Sequence, residues 1–548
     1  MNIKVVINGE EVEVVRGTTL LEISKKYKEN FKYEIILAKV DGEYKELIDT
    51  VTKECEIEFY DLTNRDANAV YLNGLKYITL YAFKRTFGPS SDIIVRHSLD
   101  KGLYIETTTK ITEDDIKKIE SEMHKIVAEN IPIQRVIISK LEAMKYYNSI
   151  NYNSKARIIK YNTSPYLLLY KLGNLYDYFY SLMPVDTSVL SHFGLTYFNE
   201  NGFILRFPTI YMQDGIKEFE ARNNIYNLYT ESRKWAKKLG LENASDLNRI
   251  VEKGQITDFI QMEEIEKNAE LMGLAYKIIQ KPDLKVVLLA GPSSTGKTTT
   301  TNKLKICLRA LGKKPLMISM DDFFVDRENT PLDEEGNPDY EKFEALDLKV
   351  FDECMKKLVN KEEVMFPIYN FVAGKKEFKN KLKMEDDTIL IIEGIHALNP
   401  KFSGNIPKEQ KVSIYLSALN QLNIDNHSRI STTDNRLLRR IVRDNRTRGS
   451  KVENTLASWA KVRLGEEKYI FPYQDEADYT FNTAMVYEIG VLKTFVEPLL
   501  YSIEPTSPYY NEAIRLLNFL RLFLPIPSED IPKDSILREF IGGGCFKI

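Results

Sequence analysis

The sequence has few cysteines and no long apolar segment, and both absences narrow the class of protein. Only four cysteines occur in 548 residues, and no two of them form a CxxC pair. This spacing argues against a disulfide framework and against a cysteine zinc site. No apolar stretch approaches the roughly 18 residues that a membrane-spanning helix needs. The first residues, MNIKVVINGEEVEV, carry charges where a signal peptide would need an apolar run. We therefore expect a cytoplasmic protein without a membrane partner.

An excess of charge of one sign is also missing. The chain has 76 Lys and Arg against 79 Asp and Glu, a net charge of −3. This balance gives no global attraction to nucleic acids or membranes, although local patches remain compatible with it. The hydrophobic fraction of 43% is typical of a globular protein, and the length predicts several domains.

The first residues predict a small β-rich unit. Residues 3–15 alternate apolar and polar side chains around Asn8-Gly9, which is a strong signal for a β-hairpin. A short amphipathic helix (LLEISKKYKE), a second hairpin (AKVDGEYKEL) and a strand (CEIEFY) follow. We place this unit at residues 1–62.

Residues 63–212 predict a second unit of mixed helices and strands. Its clearest element is the helix ITEDDIKKIESEMHKIVAENIP, which Thr112 and Asp115 can open as a capping box. Residues 213–282 are charged, helical in pattern and poor in Pro and Gly, so we predict a helical connector there.

The remaining residues, 283–548, predict an α/β fold. The apolar segments VVLLA, PLMIS, TILIIE and VSIYL alternate with helical patterns, which indicates a parallel sheet flanked by helices. The whole chain is thus expected to be a multidomain protein of α/β and α+β units.

A phosphate-binding loop follows the first of these strands. The segment GPSSTGKT fits GxxxxGK[ST], in which Gly291 and Gly296 permit unusual backbone conformations. The loop N–H groups then face a polyphosphate, Lys297 reaches the terminal phosphates and Thr298 binds Mg²⁺. We therefore predict ATP and Mg²⁺ as cofactors.

Acidic residues end two further strands. Asp321 and Asp322 follow PLMIS, where a carboxylate can accept the proton of an attacking hydroxyl; the alternative is that two acids simply begin a loop. Glu393 ends TILIIE, where a carboxylate suits the Mg²⁺ shell; the alternative is an ordinary strand end.

Six arginines crowd the segment NRLLRRIVRDNRTRG at 435–449. Such a run is either a solvated basic face or a lid whose guanidinium groups neutralise the transferring phosphoryl group. The nearby P-loop favours the lid. Arg440 and Arg443 are three residues apart and share a helix face.

The motifs GPSSTGKT, MDDFF, FPIYNF (366–371), ILIIEGI and RLLRRIVRDNRTRG together resemble the uridine kinase and phosphoribulokinase family over about residues 285–490, and the uridine/cytidine kinase branch most. The resemblance implies ATP-dependent phosphorylation of a nucleoside 5′-hydroxyl, that of uridine or cytidine before others. It also implies roles for individual residues: catalysis by Asp321 as base with Lys297, Arg440 and Arg443; ATP binding by Gly291, Ser293, Ser294, Thr295, Gly296, Lys297, Thr298, Thr299 and Arg448; acceptor binding by Asp321, Phe324, Glu341, Tyr369 and Arg440; and Mg²⁺ binding by Thr298 and Glu393.

Three positions depart from the family pattern and leave the acceptor open. Gly374 stands at the position of the pyrimidine-reading histidine, Glu341 replaces an Asp, and Ser450 stands where an arginine is common. One alternative is the same chemistry on another ribosyl or sugar acceptor. Another is an RNA- or ligand-sensing regulator that uses ATP as a switch.

Residues 1–62 resemble a TGS domain, the small β-grasp unit at the front of threonyl-tRNA synthetases. Residues 63–212 resemble the editing domain that follows it there, on segments that include VYLNGLKYITLYAFKRTF and LYKLGNLYDYFYSLMPVDTSVLSHFGL. The HxxxH and Cys-xxx-His positions of that domain are occupied by Asn73, Tyr77, Phe179 and Met183. We therefore expect no tRNA editing, while RNA binding, ligand binding or simple packing on the kinase region stays open. The sequence also leaves open a homo-oligomer and whether the tail REFIGGGCFKI is ordered.

Overall fold

The computed structural model describes most of the chain. The described residues are 2–210, 215–216, 218–220, 223–333, 336–370, 373–403 and 406–547. The predicted boundary between residues 212 and 213, and Phe371 of the FPIYNF motif, lie outside them. No described helix is both long and apolar enough to cross a membrane.

Residues 2–61 form one mixed five-stranded sheet. Its elements are β1 (Asn2–Ile7), β2 (Glu10–Val15), α1 (Leu20–Ser24), β3 (Ile35–Val40), β4 (Glu43–Glu46) and β5 (Cys55–Asp61), in the order β2-β1-β5-β3-β4. Strands β1 and β5 are parallel, and the other pairs are antiparallel. Asn8 and Gly9 both have positive φ, as a tight two-residue hairpin requires. The predicted β-grasp unit is confirmed.

A long helix packed against two antiparallel sheets follows. The elements are α2 (Arg65–Phe87), β6 (Ile93–Leu99), β7 (Gly102–Thr107), α3 (Glu113–Ala128), β8 (Gln134–Ser139), α4 (Lys140–Ser149), α5 (Asn153–Lys160), β9 (Tyr166–Leu172), β10 (Leu175–Asp177), β11 (Gly194–Asn199) and β12 (Gly202–Arg206). The sheets have the orders β10-β9-β8 and β11-β12-β7-β6. Thr112 and Asp115 form the predicted capping box at the start of α3. We call residues 2–210 the front half.

Three helices lead from the front half to the second large unit. They are α6 (Asn223–Lys238), α7 (Ala244–Glu252) and α8 (Ile256–Ile279). Helix α8 is not a free linker, because Phe259, Ile260 and Leu271 are buried in the core that it shares with the following sheet.

Residues 284–547, which we call the P-loop half, are built on a parallel sheet with helices around it. The elements are β13 (Val286–Ala290), α9 (Lys297–Ala310), β14 (Lys314–Ser319), α10 (Leu348–Val359), β15 (Val364–Asn370), β16 (Lys375–Leu382), β17 (Thr388–Glu393), α11 (Pro400–Ser403), β18 (Lys411–Ser417), β19 (Asn423–Asp425), β20 (Ser428–Arg429), α12 (Thr432–Arg448), α13 (Val452–Tyr469), β21 (Tyr479–Asn482), α14 (Glu488–Tyr501), α15 (Tyr510–Leu520) and α16 (Arg538–Ile541). The sheet order is β14-β17-β13-β18-β21, and every pair in it is parallel. The predicted parallel α/β fold is confirmed.

The small β19–β20 hairpin of the P-loop half inserts into the front half. Backbone and side-chain hydrogen bonds join Val95 of β6 to the hairpin residues Asn423 and Asn426, both at 2.8 Å. His427 at the hairpin tip places Nδ1 2.7 Å from Asp177 and Nε2 2.9 Å from Asp92. The insertion docks the two halves through buried polar contacts.

A buried charge network surrounds His427. Lys155 pairs with Asp177, and Tyr180 donates a hydrogen bond to Asp425 at 2.9 Å. Burial alone would lower the pKa of His427, but the carboxylates of Asp177 and Asp92 raise it to about 9. The imidazolium is thus held charged between two carboxylates.

Candidate active site

The P-loop joins the buried strand β13 to helix α9, so the helix N-terminus faces the loop. Ser294 and Gly296 adopt positive φ of 61° and 79°, which bends the chain around the space in front of α9. A side chain at Gly291 would approach the carbonyl oxygen of Leu416 to 2.7 Å, so the close packing of the loop on β18 requires glycine. Lys297 Nζ donates to the carbonyl oxygens of Gly291 and Pro292 at 3.0 and 3.2 Å. The lysine is held at the loop that it is predicted to serve.

Several polar atoms around this loop are buried without a hydrogen-bond partner among the described residues. They are Ser294 Oγ, Thr299 Oγ1, Glu341 Oε2 and Glu393 Oε2. An unsatisfied buried polar atom costs about 1–3 kcal/mol of stability, so several of them in one place are typical of a site that water or a ligand completes.

Glu393 ends the central strand β17 beside the P-loop. Its Oε1 accepts a hydrogen bond from Ser319 at 2.7 Å, and its Oε2 has no partner in the described part of the chain. Burial raises the pKa of Glu393 to about 7, and the negative charge of Asp321 adds to the rise. A bound cation would stabilise this carboxylate, so the residue fits a Mg²⁺ site.

The described residues contain no group of three or more His, Cys, Asp or Glu that could hold a metal by itself. A Mg²⁺ site of the kinase type needs only one or two protein ligands, because the nucleotide phosphates share the ion. Thr298 is partly exposed on the first turn of α9, as such a ligand must be.

The two adjacent acids after β14 have different surroundings. They lie in a 3₁₀ turn at Met320–Phe323. Asp322 accepts the backbone N–H of Tyr369 at 3.2 Å, and burial raises its pKa to about 6. Asp321 is partly exposed and contributes to the raised pKa values of both Glu341 and Glu393. Asp322 therefore anchors the β15–β16 hairpin, while Asp321 faces the polar site.

The residues predicted to bind an acceptor surround Asp321 on one side. The rings of Phe324 and Tyr369 lie 5.8 Å apart, centroid to centroid. Burial raises the pKa of Glu341 to about 7, with Glu466 as a further cause. Gly465 on α13 permits this arrangement, because any side chain there would collide with Glu341.

The surroundings of Gly374 do not suit the histidine that contacts the pyrimidine in the resembled family. It has a φ of +69°, and a side chain there would approach Arg327 Cβ and Nε to 2.9 Å. Histidine would therefore be strained at this position, and the Arg327 side chain occupies the adjacent space.

The six arginines of α12 differ in their partners, and Arg446 donates to carbonyl oxygens of the C-terminal tail. Arg436 and Arg439 are fully buried, pair with Glu466 and Glu488, and donate to the carbonyl oxygens of Ser293 and Ser294. These two tie α12 to the P-loop.

The predicted ligand arginines lie further out on α12. Arg440 donates to Ser293 Oγ at 2.8 Å, which brings it to the P-loop. Arg443 and Arg448 lie 2.9 and 3.7 Å from Asp444, so they cluster around one carboxylate near Arg440. Their role as a lid stays a prediction.

Two acids of the site have no local sequence signal. Glu466 accepts the N–H of Ser293 at 3.2 Å from α13. Glu539 of α16 accepts the N–H of Thr299 at 2.9 Å, and Arg446 donates to the Phe540 carbonyl oxygen at 3.0 Å. The tail that the sequence left undecided is therefore packed against the P-loop helix as far as α16.

The four editing-domain positions of the front half form a closed core. Asn73 donates to Ser181, and Tyr77 Oη lies 2.7 and 2.8 Å from two backbone carbonyl oxygens. The ring of Phe179 packs 5.1 Å from that of Tyr77, and Met183 is buried. None of these side chains offers the ligand set of the resembled domain.

The three nearby histidines do not replace that set. The ring of His97 lies tilted against that of Tyr229, with centroids 3.9 Å apart, and His124 stacks on Phe193 at 4.5 Å. His192 packs edge-on against Tyr33. Each has a different aromatic neighbour, and the described residues show no cluster among them.

Comparisons with known proteins divide the chain in the same way. Residues 286–489 match the model of the Phosphoribulokinase / Uridine kinase family. The threonine–tRNA ligase of Finegoldia magna is 29% identical over 173 residues, which are 31% of this chain and 27% of that protein. The ligase of Thermotoga petrophila is 32% identical over 200 residues, 36% of this chain and 30% of that protein. The chain therefore spans less than a third of the length of these relatives.

Two solved structures are similar at lower identity. A possible uridine kinase from Bacillus stearothermophilus is 18% identical, with 40% of this chain and 100% of that chain covered and a TM-score of 0.28. D-glycerate 3-kinase from Cryptococcus neoformans is 12% identical, with 38% and 88% covered and a TM-score of 0.27. The chain thus combines an N-terminal region similar to part of threonine–tRNA ligases with a C-terminal region that matches the phosphoribulokinase and uridine kinase family.

Proposed function

We propose that the P-loop half is a kinase that transfers the γ-phosphoryl group of ATP to a hydroxyl of a small molecule, with uridine or cytidine as the first candidate acceptors. The observation that carries the proposal is the convergence of Lys297, Asp321 and the unsatisfied carboxylate of Glu393 at one P-loop. Charge compensation between Lys297 and Glu393 supports it, because the lysine opposes the rise in the pKa of Glu393.

Each residue has a distinct part in the transfer. Asp321 accepts the proton of the acceptor hydroxyl. The hydroxyl oxygen bonds to the γ-phosphorus while the bond from that phosphorus to the β,γ-bridging oxygen breaks, which releases ADP. Lys297 and the loop N–H groups orient the phosphates. Bound Mg²⁺ would supply charge neutralisation, and Thr298 and Glu393 are the residues that would hold it.

The arginines of α12 supply the remaining positive charge. Arg440 reaches the loop through Ser293 Oγ, and Arg443 and Arg448 share Asp444 beside it. In this proposal the three guanidinium groups turn from Ser293 and Asp444 to the phosphates when ATP binds, which neutralises charge that develops in the transition state.

The acceptor lies against Phe324, Glu341 and Tyr369. A carboxylate such as Glu341 can accept hydrogen bonds from the hydroxyl groups of a ribose or sugar. The geometry at Gly374 favours a second candidate, another ribosyl or sugar acceptor, because a histidine would be strained there and Arg327 presents a different donor pattern. We also propose that the chain is divided into four units, at residues 1–62, 63–212, 213–282 and 283–548.

The test is ADP formation by the purified intact chain with ATP, Mg²⁺ and a panel of nucleosides, other ribosyl compounds and sugars. We expect turnover with at least one nucleoside or sugar and none without Mg²⁺. Turnover of a sugar but of no nucleoside would select the second candidate. ATP binding without turnover of any acceptor would contradict the kinase proposal.

A further inference from the structure

A second cavity lies between the two halves, apart from the proposed active site. It has a volume of about 510 Å³ and is lined by α2, the β6–β7 turn and residues 207–210 on one side. Pro292, the end of β18 and the start of α12 line the other side. Its volume lies in the range of small-molecule sites, about 300–1,000 Å³. Lys297, Asp321 and Glu393 do not line it.

The cavity contains a cation that has no carboxylate at ion-pair distance among the described residues, although the charge of Asp434 acts on it from further away. The guanidinium group of Arg429 makes no hydrogen bond or ion pair with any described residue, and it lines the cavity. Burial lowers the pKa of Arg429. Lys76, on the face of α2 that also carries the lining residue Leu72, likewise has no carboxylate at ion-pair distance in the described chain. Burial lowers the pKa of Lys76 to about 8, and the charge of Arg429 contributes.

The acids of the cavity are already engaged. Asp100 accepts the backbone N–H of Glu220 at 2.7 Å, and Glu467 pairs with Arg463 at 3.2 Å. Asp434, whose charge acts on Arg429, is held by the guanidinium group of Arg515 at 2.8 and 2.9 Å, so Arg429 has no ion-pair partner of its own in the described chain. An uncompensated charge in such a place is costly unless a ligand of opposite charge completes it.

Helix α12 directs its N-terminus to the same cavity. Thr432 and Thr433 of its first turn line the cavity, while the side chain of Ser431 caps only the N–H of Asp434, at 3.3 Å. The first N–H groups of a helix have no partner within the helix and attract anions.

A buried histidine adds an unpartnered polar group. His97 lines the cavity, is only 5% exposed, and neither ring nitrogen has a hydrogen-bond partner in the described residues. Burial lowers its pKa to about 3, with the positive charge of Arg429 as the next cause. The ring is therefore neutral, and the charge that attracts an anion comes from Arg429 and not from His97.

We propose that this cavity binds a small organic anion whose phosphate or carboxylate group contacts Arg429 and the first turn of α12. An organic part is expected because Leu72, Leu99, Phe207 and Phe471 form apolar walls beside the charged end. The proposal does not depend on the kinase reaction, since the site shares no residue with the predicted catalytic group.

The site is nevertheless in contact with the P-loop. Pro292 and Arg436 line the cavity, and Arg436 Nε donates to the carbonyl oxygen of Ser293 at 2.9 Å. An anion bound here would touch elements of both halves at once.

The test is calorimetric binding to the intact chain, with the P-loop filled by Mg²⁺ and a non-hydrolysable ATP analogue. The probes are phenyl phosphate and benzoate, which share one apolar ring and differ in the anionic group, together with inorganic phosphate. We expect one ring-bearing probe to bind with a Kd below about 1 mM. Whichever of phenyl phosphate and benzoate binds more tightly shows whether phosphate or carboxylate is the preferred anionic group.

Variants locate the bound probe. Arg429→Gln is expected to weaken binding at least about tenfold, and Ala69→Trp, at an exposed position of α2 that lines the cavity, to abolish it by filling the space. Arg16→Gln removes the same charge at an exposed distant position and should bind as the wild type. Without probe, Arg429→Gln should melt no lower than wild type, which separates lost binding from lost folding. The proposal is overturned if no probe binds, or if Arg429→Gln and Ala69→Trp bind as tightly as the wild type.

Discussion

The editing-like positions of the front half and the P-loop site of the second half are opposite kinds of interior. Around Asn73 and Tyr77 every named polar side chain has a protein partner. Around the P-loop, Glu341, Glu393 and Thr299 bury polar atoms that the described chain leaves unpartnered. Burial alone therefore does not distinguish these two interiors, whereas the unsatisfied polar atoms at the named positions do.

The difference also separates resemblance from function. Both halves are similar to parts of enzymes. In the front half, aromatic packing and internal hydrogen bonds occupy the positions where the resemblance would place ligands. In the P-loop half, Lys297 and Asp321 are close enough to Glu341 and Glu393 to influence the pKa values of these two carboxyl groups. We infer that the front half has a packing and ligand-binding part, and that the P-loop half carries the chemistry.

The largest effect is expected when the P-loop lysine is removed. Lys297→Met should lower phosphate transfer about 10³-fold or more, because no other ammonium group contacts the P-loop among the described residues. Initial rates of ADP formation measure it. Lys303→Met is the matched control on the same helix, where the lysine pairs with Asp534. Near-normal rates for Lys297→Met would contradict a role of the P-loop in phosphate transfer.

A smaller effect is expected at the junction of the halves as the pH rises. His427 has a folded-state pKa of about 9 against an ordinary value near 6.5. Its contribution to stability, about 3 kcal/mol, is therefore fully present below pH 6.5 and is lost as the pH rises through 9.

The measurement is the melting temperature of the intact chain between pH 6 and pH 10. The wild type should lose stability across the upper part of this range, and His427→Gln, which cannot titrate, should show a flatter profile from a lower starting point. Parallel profiles for the two proteins would mean that the imidazolium does not hold the halves together.

The smallest effect is expected in the closed core of the front half. Tyr77→Phe removes a hydroxyl that lies within hydrogen-bond distance of two backbone carbonyl oxygens, so it should cost about 1 kcal/mol of stability. Phosphate transfer should not change. A large loss of transfer in a protein with nearly normal melting would show that the front-half core takes part in the chemistry, and would break the comparison.

Local patterns in the sequence predicted the elements that depend on nearby residues. The Asn8-Gly9 turn, the Thr112 cap and the P-loop are set by side chains within a few positions of one another. The parallel sheet followed from four apolar segments separated by helical patterns. The resemblance, rather than spacing, selected Glu341.

The remaining features depend on partners that are far apart in the sequence. Glu539 reaches Thr299 across 240 positions, and His427 reaches Asp92 across 335. No periodicity links such residues, so neither the packed tail nor the inserted hairpin could be predicted. The burial of Arg436 and Arg439 likewise could not be predicted before Glu466 and Glu488 were located.

The most direct test of the central claim compares Asp321→Asn with Asp322→Asn in ATP-dependent phosphate transfer to the best acceptor of the panel. The substitutions are chemically identical and adjacent, but only Asp322 accepts the N–H of Tyr369. We expect Asp321→Asn to lower kcat about 10³-fold with an unchanged KM for ATP, whereas Asp322→Asn should keep most of kcat. Equal activity of Asp321→Asn and the wild type would contradict the assignment of Asp321 as the base and, with it, the proposed catalytic site.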